Sequence, residues 1–145
     1  MVKLPTTFED VYNQFLSKII DYDFLTISEE DYDFIMNARL KSALAKYNPR
    51  DKKHKNYISA NYDLKQFDRE LDELEIECLA YWLVYEWITP KVNNVEMFEH
   101  RLNTKEFQGF SEANHLKEMQ AIKTEARTEA FYWKQQLGGY MPPSN

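Results

Sequence analysis

Leu71-Asp-Glu-Leu-Glu-Ile-Glu-Cys-Leu-Ala-Tyr-Trp-Leu-Val-Tyr-Glu-Trp-Ile-Thr-Pro90 is the most apolar run in this chain, and the remaining segments are amphipathic enough to pack on it. Asp72 is a good N-cap and Glu75 follows three residues later, the arrangement of a capping box. Leu74, Cys78, Tyr81/Trp82, Tyr85 and Trp87/Ile88 recur at three- and four-residue spacing, which is helical. Leu79 and Leu83 widen the stripe until the helix is apolar around most of its girth, so its neighbours must bury it. At roughly 17 residues, with Glu75, Glu77 and Glu86 inside, it reads as a core helix over about 72–89 and not as a membrane span. Pro90 has no N–H to donate to the turn behind it, so the helix is expected to end or kink near Thr89.

The 145 residues are one domain by length, large enough to bury a core without staples. Twenty-two aromatics (3 Trp, 10 Tyr, 9 Phe) against only 3 Gly favour long helices and argue against a turn-rich β fold or a glycine-rich phosphate loop. A net charge of −6 argues against general affinity for nucleic acid. The single cysteine, Cys78, excludes an intramolecular disulfide framework and points to a reducing compartment. The start Met-Val-Lys-Leu-Pro has no long apolar run, so neither a secretory signal nor a membrane span is expected, and the cytoplasm is the expected site of synthesis and assembly.

From the N-terminus, Thr7 with Asp10 makes a capping box, and Phe8, Val11/Tyr12, Phe15 and Ile19 predict a helix over about 7–20. Ser28 with Asp31 makes another, and Tyr32, Ile35/Met36, Leu40, Ala43/Leu44 and Tyr47 carry a second helix to about Lys46, ended by Asn48-Pro49. Lys46, Arg50, Lys52, Lys53 and Lys55 stand against one acid, Asp51, so 46–55 is net +4 and the rest of the chain, −6 overall, carries −10. No apolar period runs through that stretch. Residues 57–67 alternate too weakly to separate a short strand from an irregular arm, and 47–67 as a whole is a long loop or arm for a compact domain. Beyond Pro90, Val92, Val95, Met97/Phe98 and Leu102 continue the helical spacing as a kinked or second helix. After a break containing Gly109, Ser111 caps a helix of roughly 25 residues whose stripe is Ala113, Leu116, Met119, Ile122, Ala126, Ala130, Trp133 and Leu137. That length leaves room for part of it to pack on another copy. Gly138-Gly139 stops it and begins an extended tail over 138–145. The expected fold is all-α, a four- to five-helix bundle over 1–137 with a long central buried helix, followed by the tail.

Catalytic chemistry is not legible. His54, His100 and His115 are far apart, and no Cys/His pair has metal spacing. Asp21, Asp23, Asp31 and Asp33 lack the glycine and closing glutamate of a calcium loop, and helix capping accounts for most of them. Cys78 lies on an apolar face with no histidine near it in sequence, as a buried small hydrophobe does. No enzyme, cofactor or metal is expected. The basic stretch 46–55 reads either as a solvated charge run or as a contact for an acidic partner.

Two stretches carry a resemblance. They are Glu86-Trp87-Ile88-Thr89-Pro90-Lys91-Val92-Asn93 and Lys105-Glu-Phe-Gln-Gly-Phe-Ser-Glu-Ala-Asn-His-Leu116-Lys-Glu118, with Phe15–Phe24 and Leu40–Tyr47 matching the opening. On these the chain resembles small helical proteins of the virion-structure cassettes of tailed bacteriophages, mostly of Gram-positive hosts, and is similar to head-to-tail connector, or neck adaptor, proteins. The resemblance covers nearly everything before Gly138. It implies a structural virion protein at the head–tail junction: a homo-oligomeric ring, commonly of twelve copies, that binds beneath the portal and joins it to the stopper and tail-completion proteins. DNA would pass through the lumen without specific binding, and no membrane is involved. An alternative is a phage-encoded helical module that binds a host protein through the basic 46–55 loop. Tyr140, Met141, Pro142 and Pro143 are the expected anchors of the tail on the portal or a neighbouring copy, because a stiff Pro-Pro pair loses little entropy on docking. Trp87 and Pro90 are expected to set the angle at which 91–102 leaves the central helix, and so the wedge of the subunit.

Overall fold

Thr7 and Asp10 exchange the two hydrogen bonds of a capping box, Asp10 N–H to Thr7 Oγ1 at 3.2 Å and Thr7 N–H to Asp10 Oδ2 at 3.1 Å. They start helix α1, Phe8–Ile19. The computed structural model describes residues 4–19, 29–101 and 115–137. Three further helices follow among them: α2, Glu29–Tyr47; α3, Glu73–Arg101; and α4, Leu116–Gln136. The fold is an all-α bundle organised on α3, which packs most extensively on α4 and then on α2 and α1.

Helix α3 starts as its sequence dictates. Glu75 N–H donates to Asp72 Oδ1 at 2.8 Å, and Asp72 N–H donates back to Glu75 Oε1 at 3.1 Å. Cys78, Leu79, Trp82, Leu83, Trp87 and Ile88 are all buried, so the broad apolar girth is covered from several sides. Trp82 stacks edge-on against Phe131 of α4 at 5.3 Å, and Trp87 against Phe15 of α1 at 5.6 Å.

Of the end or kink expected near Thr89, the end is corrected. Pro90 lies inside α3, and the helix runs on as a single element to Arg101, burying Val92 and Val95. Proline removes one i→i−4 bond. The apolar stripe on both sides of it keeps the two halves packed, and Thr89 Oγ1 adds a bond to the Tyr85 carbonyl at 2.6 Å.

The 47–67 segment is not a free arm. Ala60–Asn61 pairs antiparallel with Gln66–Phe67 as a two-stranded hairpin, β1 and β2, with Ala60 opposite Phe67 and Asn61 opposite Gln66. Asn61 Oδ1 accepts from Asp63 and Leu64 N–H, and Lys65 closes the turn at φ 53°. The hairpin lies against the start of the chain: Thr7 bridges to Gln66, Phe8 N–H donates to Lys65 O, and Phe67 N–H donates to Thr6 O. Ile58 and Phe67 are buried, and the Phe67 ring meets Phe8 at 5.0 Å.

The stripe of α4 is Met119, Ile122, Ala126, Ala130 and Leu137, as its periodicity predicts, with one exchange. Trp133 sits half-buried at the edge, and Lys134, four residues after Ala130, occupies the buried row. Among the described residues no helix is long and apolar enough to cross a membrane.

Candidate functional site

Residues 48–58 close on themselves. The Asn48 side chain makes both bonds of a backbone pair with Ile58, its Nδ2 donating to the carbonyl at 2.9 Å and its Oδ1 accepting the N–H at 2.8 Å. This is an Ω-loop, whose ends meet and whose interior satisfies itself. Asp51 accepts at both its carboxylate, from Lys53 N–H at 2.9 Å, and its carbonyl, from His54 N–H at 3.0 Å. His54 Nδ1 accepts from Asn56 N–H, and Asn56 itself is buried. What the loop presents outward is Arg50, Lys52, Lys53 and Lys55, all exposed.

The loop stands on a firm base. Asn56 Nδ2 donates to Leu137 O, at the end of α4. Arg69 Nη2 reaches the carbonyls of Lys55 and Tyr57, both at 3.3 Å. The same guanidinium forks onto Glu75, Nη1 to Oε1 at 2.8 Å and Nη2 to Oε2 at 2.5 Å, and Tyr47 OH donates to Oε2 at 3.2 Å. Arg69 therefore ties the second leg of the loop to the first turn of α3. Glu75 is 2 % exposed, and a buried carboxylate needs such a set of partners. On the other leg, Lys134 Nζ donates to Lys46 O at 2.7 Å. Burial pulls the Lys134 ammonium down from its ordinary 10.5 to about 8.

These contacts sort the residues singled out in the sequence. Arg50, Lys52, Lys53 and Lys55 form one exposed cationic surface. Lys46 belongs to the last turn of α2 and turns toward α3, where its ammonium faces Glu86 Oε1 at 2.5 Å and lies over the Tyr85 ring. Trp87 is core, and Pro90 is in mid-helix. Tyr140, Met141, Pro142 and Pro143 lie outside the described residues, as do Asp21, Asp23, Ser28 and Ser111. The last described residue, Leu137, is the one Asn56 holds, at the foot of the basic loop.

Cys78 is buried with its Sγ toward the Ala130 carbonyl at 3.4 Å, and burial pushes its thiol up to about 12, which makes it inert as a nucleophile. Asp33 pairs with Lys65 at the surface. Among the described residues no group of three or more His, Cys, Asp or Glu is placed to hold a metal.

Sequence reasoning missed Arg69, Glu75's second role, Asn48, Asn56 and Lys134. The capping box accounted for Glu75 completely, which hid the buried pair. Lys134 had a readable signal, since it falls on the Met119–Ile122–Ala126–Ala130 row, but its residue type argues for solvent. No protein-family model, curated protein or solved structure matches the chain.

Proposed function

We propose that the chain is a structural subunit of a tailed-phage neck, a ring-forming connector that binds beneath the portal and joins the head to the stopper and tail-completion proteins. The observation that carries this reading is the braced basic loop. An otherwise acidic chain presents this cationic projection on a base braced by three bonds: Arg69, itself paired with Glu75 of α3, holds the Lys55 carbonyl, Asn56 holds the Leu137 carbonyl after α4, and Lys134 of α4 holds the Lys46 carbonyl at the end of α2. A rigid charged projection is an economical docking element, because little conformational entropy is lost when a partner meets it. Its complement is an acidic protein surface. The resemblance at Glu86–Asn93 and Lys105–Glu118 directs that surface to the portal.

The role is one of binding and not of catalysis. The chemically suggestive groups are used in packing: Glu75 by Arg69 and Tyr47, Lys134 by the Lys46 carbonyl, Cys78 by its apolar surroundings. The same loop equally fits a module that binds a host protein, and location separates the two. Mass spectrometry of purified virions is expected to find the protein in multiple copies, with labelled subunits imaged at the head–tail junction. Its absence from virions would overturn the connector reading in favour of the host-protein one. Changing Lys52, Lys53 and Lys55 together to Glu is expected to abolish attachment to heads while leaving the helical circular dichroism unchanged.

A further inference from the structure

The cationic surface of the loop does not stop at Lys46. The Lys46 carbonyl is the one Lys134 of α4 holds, and its ammonium lies over the Tyr85 ring of α3 at 5.9 Å. Lys123 of α4 stands over the same ring at 5.8 Å, and one turn on, Arg127 lies over Phe131 at 5.5 Å. An aromatic face attracts a cation but leaves its charge in place. Among the described residues no carboxylate comes within ion-pair distance of Lys123 or Arg127.

Beside these cations a cleft of about 370 Å³ runs between α3 and α4. The flank of α4 that lines it is Gln120, Lys123, Thr124, Arg127 and Thr128, at three- and four-residue spacing. Each of the five carries a hydrogen-bond donor and none is an acid. The acids of this stretch of α4 take the other flank: Glu125 lines a separate hollow with Lys18 and Tyr81, and Glu129 follows one turn on. Three acids stand along the cationic run itself, and each is engaged within the chain. Asp51 accepts from Lys53 N–H, Glu86 faces Lys46, and Glu96 accepts from Gln120 Nε2 at 3.0 Å. Glu96 lies at the end of the cleft away from the loop, where the run stops.

We propose that the loop and this cleft form one binding surface for an elongated acidic segment of the partner, a footprint that rests on the reading of the loop as the docking element. The segment is anchored on Arg50, Lys52, Lys53 and Lys55 and continues past Lys46 onto Lys123 and Arg127. Asn56 holds the foot of the loop at Leu137. Arg127 and Lys123 lie 10 and 14 positions back from there along α4, about 15 and 21 Å at 1.5 Å per residue. No single acidic side chain spans that distance, so carboxylates must be spaced along a segment that follows α4. Lys123 and Arg127 then give it charge-assisted bonds, and the Thr124 and Thr128 hydroxyls supply further donors. A protein segment fits better than a nucleic acid, because the run is bordered by Glu86, Glu96, Glu125 and Glu129, and a duplex needs a broad basic face.

The test titrates the full-length chain with triglutamate, about 10 Å when extended, and with dodecaglutamate, about 40 Å. The longer peptide is expected to bind at least tenfold tighter. Lys123→Gln combined with Arg127→Gln is expected to remove that advantage, with triglutamate binding and the circular dichroism unchanged. No advantage in the wild type, or an advantage that survives in the double variant, would overturn the proposal. Tighter binding of an oligothymidylate of the same charge would overturn it in favour of nucleic acid. The two readings fail separately. Head attachment that withstands the change of Lys52, Lys53 and Lys55 to Glu would refute the loop as the docking element. Attachment that is lost with that change but untouched by the double Gln variant would refute the extended footprint alone.

Discussion

Arg69 holds together three pieces that the sequence keeps apart: the foot of the basic loop, the first turn of α3 and the buried end of α2. Its fork onto Glu75 is bidentate, and Glu75 has 3 % of its side chain exposed. Removing the guanidinium strands a buried carboxylate, a change that costs about 3–5 kcal/mol in such pairs. The lower end applies here, because Arg69 keeps 32 % of its own side chain in water. Arg69→Ala is therefore expected to lower stability by about 3 kcal/mol in denaturant titration. Arg69→Lys recovers only part of it, since an ammonium cannot span both carboxylate oxygens and two carbonyls. Leu83→Ala, at a fully buried position on α3, is expected to cost roughly 2–5 kcal/mol by the cavity it leaves.

Lys134 gives a pH signature at the same scale. Its folded pKa of about 8 lies below the ordinary 10.5, so between those values the unfolded chain binds more protons than the folded one. Stability from this group must then rise with pH through that window, by about 3 kcal/mol at about 1.36 kcal/mol per unit. Cys78 acts oppositely above pH 9: its raised pKa keeps the folded thiol protonated while the unfolded one ionises. The contribution of Lys134 is isolated by comparison with Lys134→Met, which shares the cysteine. The wild type is expected to gain on the variant between pH 7.5 and 10, read by chemical denaturation at each pH. A constant difference would show that Lys134 is not held in a desolvated site.

At the level of elements, the helices were legible wherever local chemistry and packing agree. Thr7–Asp10 and Asp72–Glu75 formed the expected capping boxes, and α2 ran to Tyr47, one residue past the expected Lys46. The segment 47–67 was not legible, for a physical reason. Its order comes from partners distant in sequence, such as Asn56 with Leu137 and Gln66 with Thr7, and no periodic pattern encodes these. Of the end or kink expected at Pro90, the end does not occur, because a local rule met a tertiary one: proline disfavours helix, but the stripe on both sides of it holds α3 continuous. Pro90→Ala restores an N–H donor and is expected to leave the helical circular dichroism intact and raise the melting temperature. If Pro90 sets the direction of Lys91–Arg101 and through it the wedge angle, the copy number of the assembled ring shifts in native mass spectrometry. An unchanged copy number would remove Pro90 from any role in assembly.

At the scale of the whole molecule, two proposed contacts rest on different physics, and salt distinguishes them. Arg50, Lys52, Lys53 and Lys55 are exposed, so their attraction to an acidic partner is screened as the Debye length falls from about 10 Å at 0.1 M salt to about 3 Å at 1 M. The contact expected of the tail joins Tyr140, Met141 and two prolines to a partner, and burial of apolar surface is not weakened by screening. Attachment to heads is therefore expected to weaken at least tenfold between 0.1 and 1 M sodium chloride, whereas self-association of the purified chain persists across the same range. The two variants invert the pattern. With Lys52, Lys53 and Lys55 changed to Glu, the chain should still self-associate but no longer join heads. Deletion of 138–145 should abolish self-association while thermal unfolding of the domain stays close to wild type, because Leu137 and the described core before it retain their own partners. Sedimentation velocity for self-association and co-sedimentation with heads for attachment, each at both salt concentrations, read out the four combinations. Loss of both activities together with added salt would mean that the ring is held by charge, and would count against the tail as its link.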